Sequence, residues 1–87
     1  LARGAQAPMT DALPRKRSVT LDGHRTSFSL EPLFWRLLQE EAERQGKALA
    51  ALVAEVDRRR AEDESGANLS SALRVYLVER LLERKPT

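Results

Sequence analysis

The sequence contains no cysteine, which excludes disulfides, thiol catalysis and Cys-based zinc sites and fits a reducing compartment. It contains one histidine, His24, so neither a His–His metal pair nor an HExxH site can be built, and no Ser–His–carboxylate pattern is present. Long apolar runs are also missing. The longest, Ala48–Ala54, has seven residues, far short of the ~20 needed to cross a bilayer. No segment has the charged, apolar, small-residue order of a secretory signal. A cytoplasmic location away from membranes is expected. The chain opens on Leu1, and Met9 is a candidate start. None of the four glycines sits in a phosphate-cradling loop. The paired acids Glu40 and Glu41, and the run Glu62 to Glu64, are expected to be solvated. These absences argue against an enzyme and against any bound cofactor or metal.

Aromatics are scarce: Phe28, Phe34, Trp35 and Tyr76 are the full set in 87 residues. A chain this short seldom gains more than ~3–5 kcal/mol from one core. With no disulfide to help, self-association is the expected remedy, at least to a dimer and open to higher oligomers.

Charge is present but uneven. Residues 1–30 hold Arg3, Arg15, Lys16, Arg17 and Arg25 against Asp11 and Asp22, whereas residues 31–87 hold ten basic and eleven acidic residues. The sequence pI near 9.5 therefore originates in the N-terminal third. A basic arm ahead of a balanced body is an electrostatic footprint of nucleic-acid binding, and also describes a solubilising tail.

Residues 1–14, rich in Ala, Gly, Pro and Gln, read as a flexible basic tail, and 15–87 as a single domain. Two alternating stretches, Arg17–Leu21 and Arg25–Leu30, flank Asp22-Gly23, a strong hairpin signal. A two-residue turn would set Leu21 opposite His24, Val19 opposite Thr26 and Ser18 opposite Ser27. One face then carries Val19, Leu21, Thr26 and Phe28. The other carries Ser18, Thr20, Arg25, Ser27 and Ser29, a row of hydroxyls with an arginine that no core would use.

Pro32 suits the first turn of a helix, and Phe34, Leu37, Leu38 and Ala42 follow helical spacing. Trp35, beside Phe34, reads as core rather than as a binding anchor. Gly46 is placed to end the helix in a left-handed cap. Leu49, Leu52, Val53 and Val56 define a second helix that runs into the charged stretch Asp57–Glu64, expected to be solvated. Asn68 or Ser70 can cap a third helix over about 68–83. Its apolar side chains, Leu69, Leu73, Val75, Tyr76, Leu77, Val78, Leu81 and Leu82, cover too wide a surface for a small monomer to bury, so part is expected to face a partner chain.

The order of these elements carries a resemblance. Arg25-Thr26-Ser27-Phe28-Ser29-Leu30-Glu31, the Phe34–Leu37–Leu38–Ala42 set, and Gly46 followed by Leu49, Leu52, Val53 and Val56 together resemble the ribbon-helix-helix family of bacterial DNA-binding proteins. The longer run from Arg17 to Leu81 looks like a branch with an N-terminal extension and an added third helix, in which a Leu-Ser-Ser-Ala-Leu-Arg string, here Leu69 to Arg74, is typical.

The resemblance implies a mostly helical fold with a short β-ribbon, assembled as an intertwined homodimer in which each chain lends one strand. It implies a transcriptional regulator, such as a repressor, that inserts this ribbon into the major groove of double-stranded DNA. Carried onto this sequence, Arg25, Ser27 and Ser29 would read base edges. Arg15, Lys16, Arg17 and Lys47 would meet phosphates. Phe28, Leu30, Phe34, Leu37, Leu38, Leu52, Val53 and Val56 would form the dimer core.

Two points stay open. Lys47-Ala48-Leu49-Ala50 lacks the Ser or Thr that often opens the family's second helix, whereas Ser70-Ser71 has it, so either of the last two helices could be the second helix of the motif. The Asp22-Gly23 hairpin also competes with pairing between chains. A protein-interaction or oligomerisation module that keeps the fold without binding DNA is the alternative function, with another protein as partner.

Overall fold

A computed structural model describes residues 12–84. Most of the stretch read as a tail, residues 1–11, lies outside the described residues, as do 85–87.

Strand β1, Arg15–Leu21, pairs antiparallel with β2, His24–Leu30. The register sets Leu21 opposite His24, Val19 opposite Thr26 and Ser18 opposite Ser27. Both turn residues have positive φ, 51° at Asp22 and 81° at Gly23, the combination a type I′ turn requires. That turn matches the natural strand twist, which is why seven residues on each side pair without a bulge.

The pairing answers a point left open. β1 of the same chain lies along one edge of β2. Asp22-Gly23 brings β1 onto β2 locally, at far smaller entropic cost than recruiting another molecule.

Helix α1 spans Pro32–Gln45, with Pro32 in the first turn where its missing N–H has no bond to lose. It ends at Gly46 in the left-handed region, φ 67° and ψ 30°. Helix α2 spans Leu49–Glu62 and starts at Ala48 with no side-chain cap. The charged segment from Asp57 is mostly helical, and most of its side chains are exposed as expected. Arg60 binds the Asp57 carboxylate, 2.8 Å from Oδ1, and donates to the Ala67 carbonyl at 3.3 Å, fastening the loop to the helix. Asn68 Oδ1 accepts the Ser71 N–H at 2.8 Å and caps helix α3, Leu69–Arg84.

The three helices lie under one face of the ribbon. Phe28 and Leu30 from β2 meet Leu38 and Ala42, Leu52, Val53 and Val56, and Leu73, Tyr76 and Leu77 from the helices. The residues expected in a dimer core lie in or against the core within one chain. Phe28, Leu30, Leu38, Leu52, Val53 and Val56 are buried, and Phe34 and Leu37 are half-buried against them. Trp35 packs at the edge of this core, 6.3 Å from Phe28 between ring centroids.

Glu41 corrects an expectation. It is only 1% exposed, whereas its neighbour Glu40 is exposed as expected. It sits one turn beyond Leu38 on the buried side of α1. Gln45 donates to it at 2.6 Å, Arg80 at 3.1 Å and Arg44 at 3.3 Å. Gln45 also donates to the Tyr76 hydroxyl at 2.8 Å. This network ties α1 to α3. Burial acts to raise the Glu41 pKa, but donation from Gln45, Arg80 and Arg44 outweighs it and holds the carboxyl below its usual range. At the other end of α3, Arg74 grips Glu31 with two nitrogens at 2.8 and 3.1 Å, and that bond depresses the Glu31 pKa.

Candidate nucleic-acid interface

Alternation along each strand sorts side chains onto two faces. Inward go Arg17, Val19 and Leu21 from β1, and Thr26, Phe28 and Leu30 from β2. Outward go Lys16, Ser18 and Thr20, and Arg25, Ser27 and Ser29. Lys16, Ser18, Thr20, Arg25 and Ser27 are exposed and Ser29 is half-buried, so no helix among the described residues covers this face. Two strands of seven residues make a ribbon roughly 23 Å long at ~3.3 Å per residue.

The proposed reading residues are therefore gathered on one surface. Register places Arg25 beside Thr20, Ser27 beside Ser18 and Ser29 beside Lys16. Ser18 and Thr20, noted on the polar face but not assigned a role, thus join Arg25 and Ser27. The turn motif combined with strict alternation is the signal that gives them that place. Ser29 has an added constraint: its N–H donates to Ser70 Oγ at 3.0 Å, so the start of α3 sits against the end of β2.

The charged residues divide. Arg15 and Lys16 are exposed at the open end of the ribbon. Arg17 points inward, its guanidinium 4.6 Å from the Trp35 ring centroid, and its buried Nε has no hydrogen-bond partner. Its cation–π contact closes the ribbon over Trp35. Lys47 lies in the loop before α2 and pairs with Glu55, whose pKa it lowers. The segment from Arg15 to Leu30 carries Arg15, Lys16, Arg17 and Arg25 against Asp22 alone, while the three helices are nearly balanced. The positive potential is thus concentrated on the ribbon.

Among the described residues no group of three His, Asp or Glu side chains could hold a metal ion, and no helix is long and apolar enough to cross a membrane.

A ribbon-helix-helix domain family model matches residues 14–81. The chain belongs to the ribbon-helix-helix domain family. The match spans the hairpin and nearly all of the three helices, so the extra strand and third helix fall inside the family pattern. No curated protein and no solved structure matches the chain. At the level of the family, membership points to DNA binding in transcriptional regulation.

Proposed function

We propose that this ribbon-helix-helix protein is a sequence-specific DNA-binding regulator that lays its hairpin in the major groove. The observation that carries this reading is the exposed row Ser18, Thr20, Arg25 and Ser27 on the only strongly basic part of the described chain. The major groove, about 12 Å wide, admits a two-stranded ribbon. Arg25 is the principal reader, because a guanidinium can bond guanine O6 and N7 together, worth ~1–3 kcal/mol of discrimination. Ser27 and Ser29 make weaker, less selective contacts to base edges. Arg15 and Lys16 meet phosphates, adding affinity without sequence information.

Arg17 and Lys47 support the site less directly. Arg17 holds the strand pair against Trp35, and its guanidinium edge is the part that can reach a phosphate. Lys47 would have to leave Glu55 to do so. No catalytic group and no cofactor enters this reading.

The test is a fluorescence-anisotropy titration of labelled duplex at two salt concentrations, with random DNA and with sequences selected from a random pool. Binding that weakens steeply with salt, and a selected sequence held more tightly than random DNA, are expected. No binding to either duplex at low salt would leave the interaction-module reading in its place. The uncovered apolar side of α3 is the observation that favours that second reading.

A further inference from the structure

Helices α2 and α3 leave a groove of about 340 Å³ between them, an ordinary size for a small-molecule site. No residue of the ribbon lines it. Its floor is apolar: Val56 and Tyr76 are buried, Ala72 is half-buried, and Val75, 57% exposed, stands on the α3 wall.

The charged groups around that floor are unequally satisfied. Arg60 is held by Asp57 and by the Ala67 carbonyl. Asp63 accepts the Ser65 N–H at 2.9 Å. Arg59 and Glu79 form neither an ion pair nor a side-chain hydrogen bond among the described residues, with each other or with any neighbour. Arg59 lies over the Tyr76 ring, 5.8 Å from its centroid. Both residues also line a smaller, more polar recess of about 230 Å³ that continues toward Gln45 and Glu83. They therefore stand beside Tyr76 where the two recesses meet, an open cation and an open anion at the edge of an apolar floor.

We infer that this groove binds a small zwitterion with an apolar side chain, the chemical class of the free amino acids. Its carboxylate takes the planar fork of the Arg59 guanidinium, its ammonium group donates to the Glu79 carboxylate, and its side chain lies over Val56, Ala72 and Val75. The charge pattern decides the class. A plain anion would meet Glu79, a plain cation would meet Arg59, and an uncharged apolar molecule would strip water from both without replacing it. A ligand with both charges leaves neither group unpaired. The site is open on one side and the ligand is small, so binding in the low-millimolar range is expected. The inference shares no residue with the polar face of the ribbon and does not rest on DNA binding.

The test uses L-phenylalanine as the probe, with three relatives that each lack one feature: phenylpropionate lacks the ammonium group, phenethylamine the carboxylate and glycine the apolar side chain. Each is titrated into the ¹⁵N-labelled full chain. Phenylalanine should move the amide signals of Val56, Arg59, Ala72, Val75 and Tyr76 in a saturable way, and each relative should bind more weakly by roughly tenfold or more. Arg59→Gln should weaken phenylalanine while leaving phenethylamine unchanged. Glu79→Gln should weaken phenylalanine while leaving phenylpropionate unchanged. Both side chains are exposed, so circular dichroism spectra should match the parent. No shift at these residues near the solubility limit of phenylalanine, relatives that bind as tightly as phenylalanine, or variants that bind it undiminished would overturn the inference. None of these results bears on the duplex titration.

Discussion

Ser70 Oγ accepts the backbone N–H of Ser29 at 3.0 Å, joining the first turn of α3 to the last residues of β2 across 41 positions of sequence. The bond fixes the end of the ribbon on the helical body and occupies a donor that an open sheet edge would present to another strand. Ser70→Ala is expected to cost about 1 kcal/mol of stability. Amide exchange at Ser29 should speed up while exchange in the Val19–Thr26 pair stays slow, which hydrogen-exchange NMR can follow.

Base readers and phosphate contacts should separate in mutants. Arg25→Ala is expected to cost ~1–3 kcal/mol at a selected sequence and much less on random duplex. Arg15→Ala and Lys16→Ala should weaken both by similar factors and each reduce the salt slope by about one. Equal losses on both duplexes for Arg25→Ala would remove its role as a reader. Anisotropy titrations over a salt series measure all three.

Phe28 is 5% exposed and is the ribbon's largest contribution to the core. Phe28→Ala should cost ~3–5 kcal/mol. In a domain of this size each kcal/mol moves Tm by ~4–8 °C, so the variant should melt at least 12 °C lower or fail to fold. An unchanged melting temperature would contradict the inward assignment.

Glu41 should give stability a characteristic pH dependence. Its carboxyl titrates below the ordinary 4.5 in the folded chain, so its contribution is complete above that value. The contribution is lost as pH falls through the lower, folded value. Glu41→Gln removes the charge that Arg80 and Arg44 bind and should cost ~1–3 kcal/mol at pH 7. The gap between the two proteins should narrow steadily below about pH 4.5. Thermal melts from pH 7 to pH 3 test this, and a gap independent of pH would contradict it.

Much of this arrangement is local in origin and so can be read from the residues. Asp22-Gly23 and strict alternation define the strand register, because turn type and pleat leave no other pairing that hides Val19 and Phe28 together. Pro32, Gly46 and Asn68 mark helix ends through their own backbone or side-chain chemistry. What cannot be read locally depends on distant partners. Glu41 resembles its solvated neighbour Glu40 until Arg80 and Gln45 are brought beside it. Arg17 counts as one more basic residue of the arm until the strand turns it onto Trp35. Ser70 suits a helix cap, yet Asn68 takes that role and Ser70 bonds the ribbon instead. The choice left open between a free and a folded-back β1 is settled by the turn, which makes pairing within the chain the nearer solution.

The most direct measurement is a ¹⁵N–¹H correlation spectrum of the full chain titrated with a short random duplex at low salt. The account predicts that amide signals of Lys16, Ser18, Thr20, Arg25 and Ser27 move first and furthest, and return as salt is added. Shifts confined to α3, or no shift at any residue of the hairpin, would contradict it.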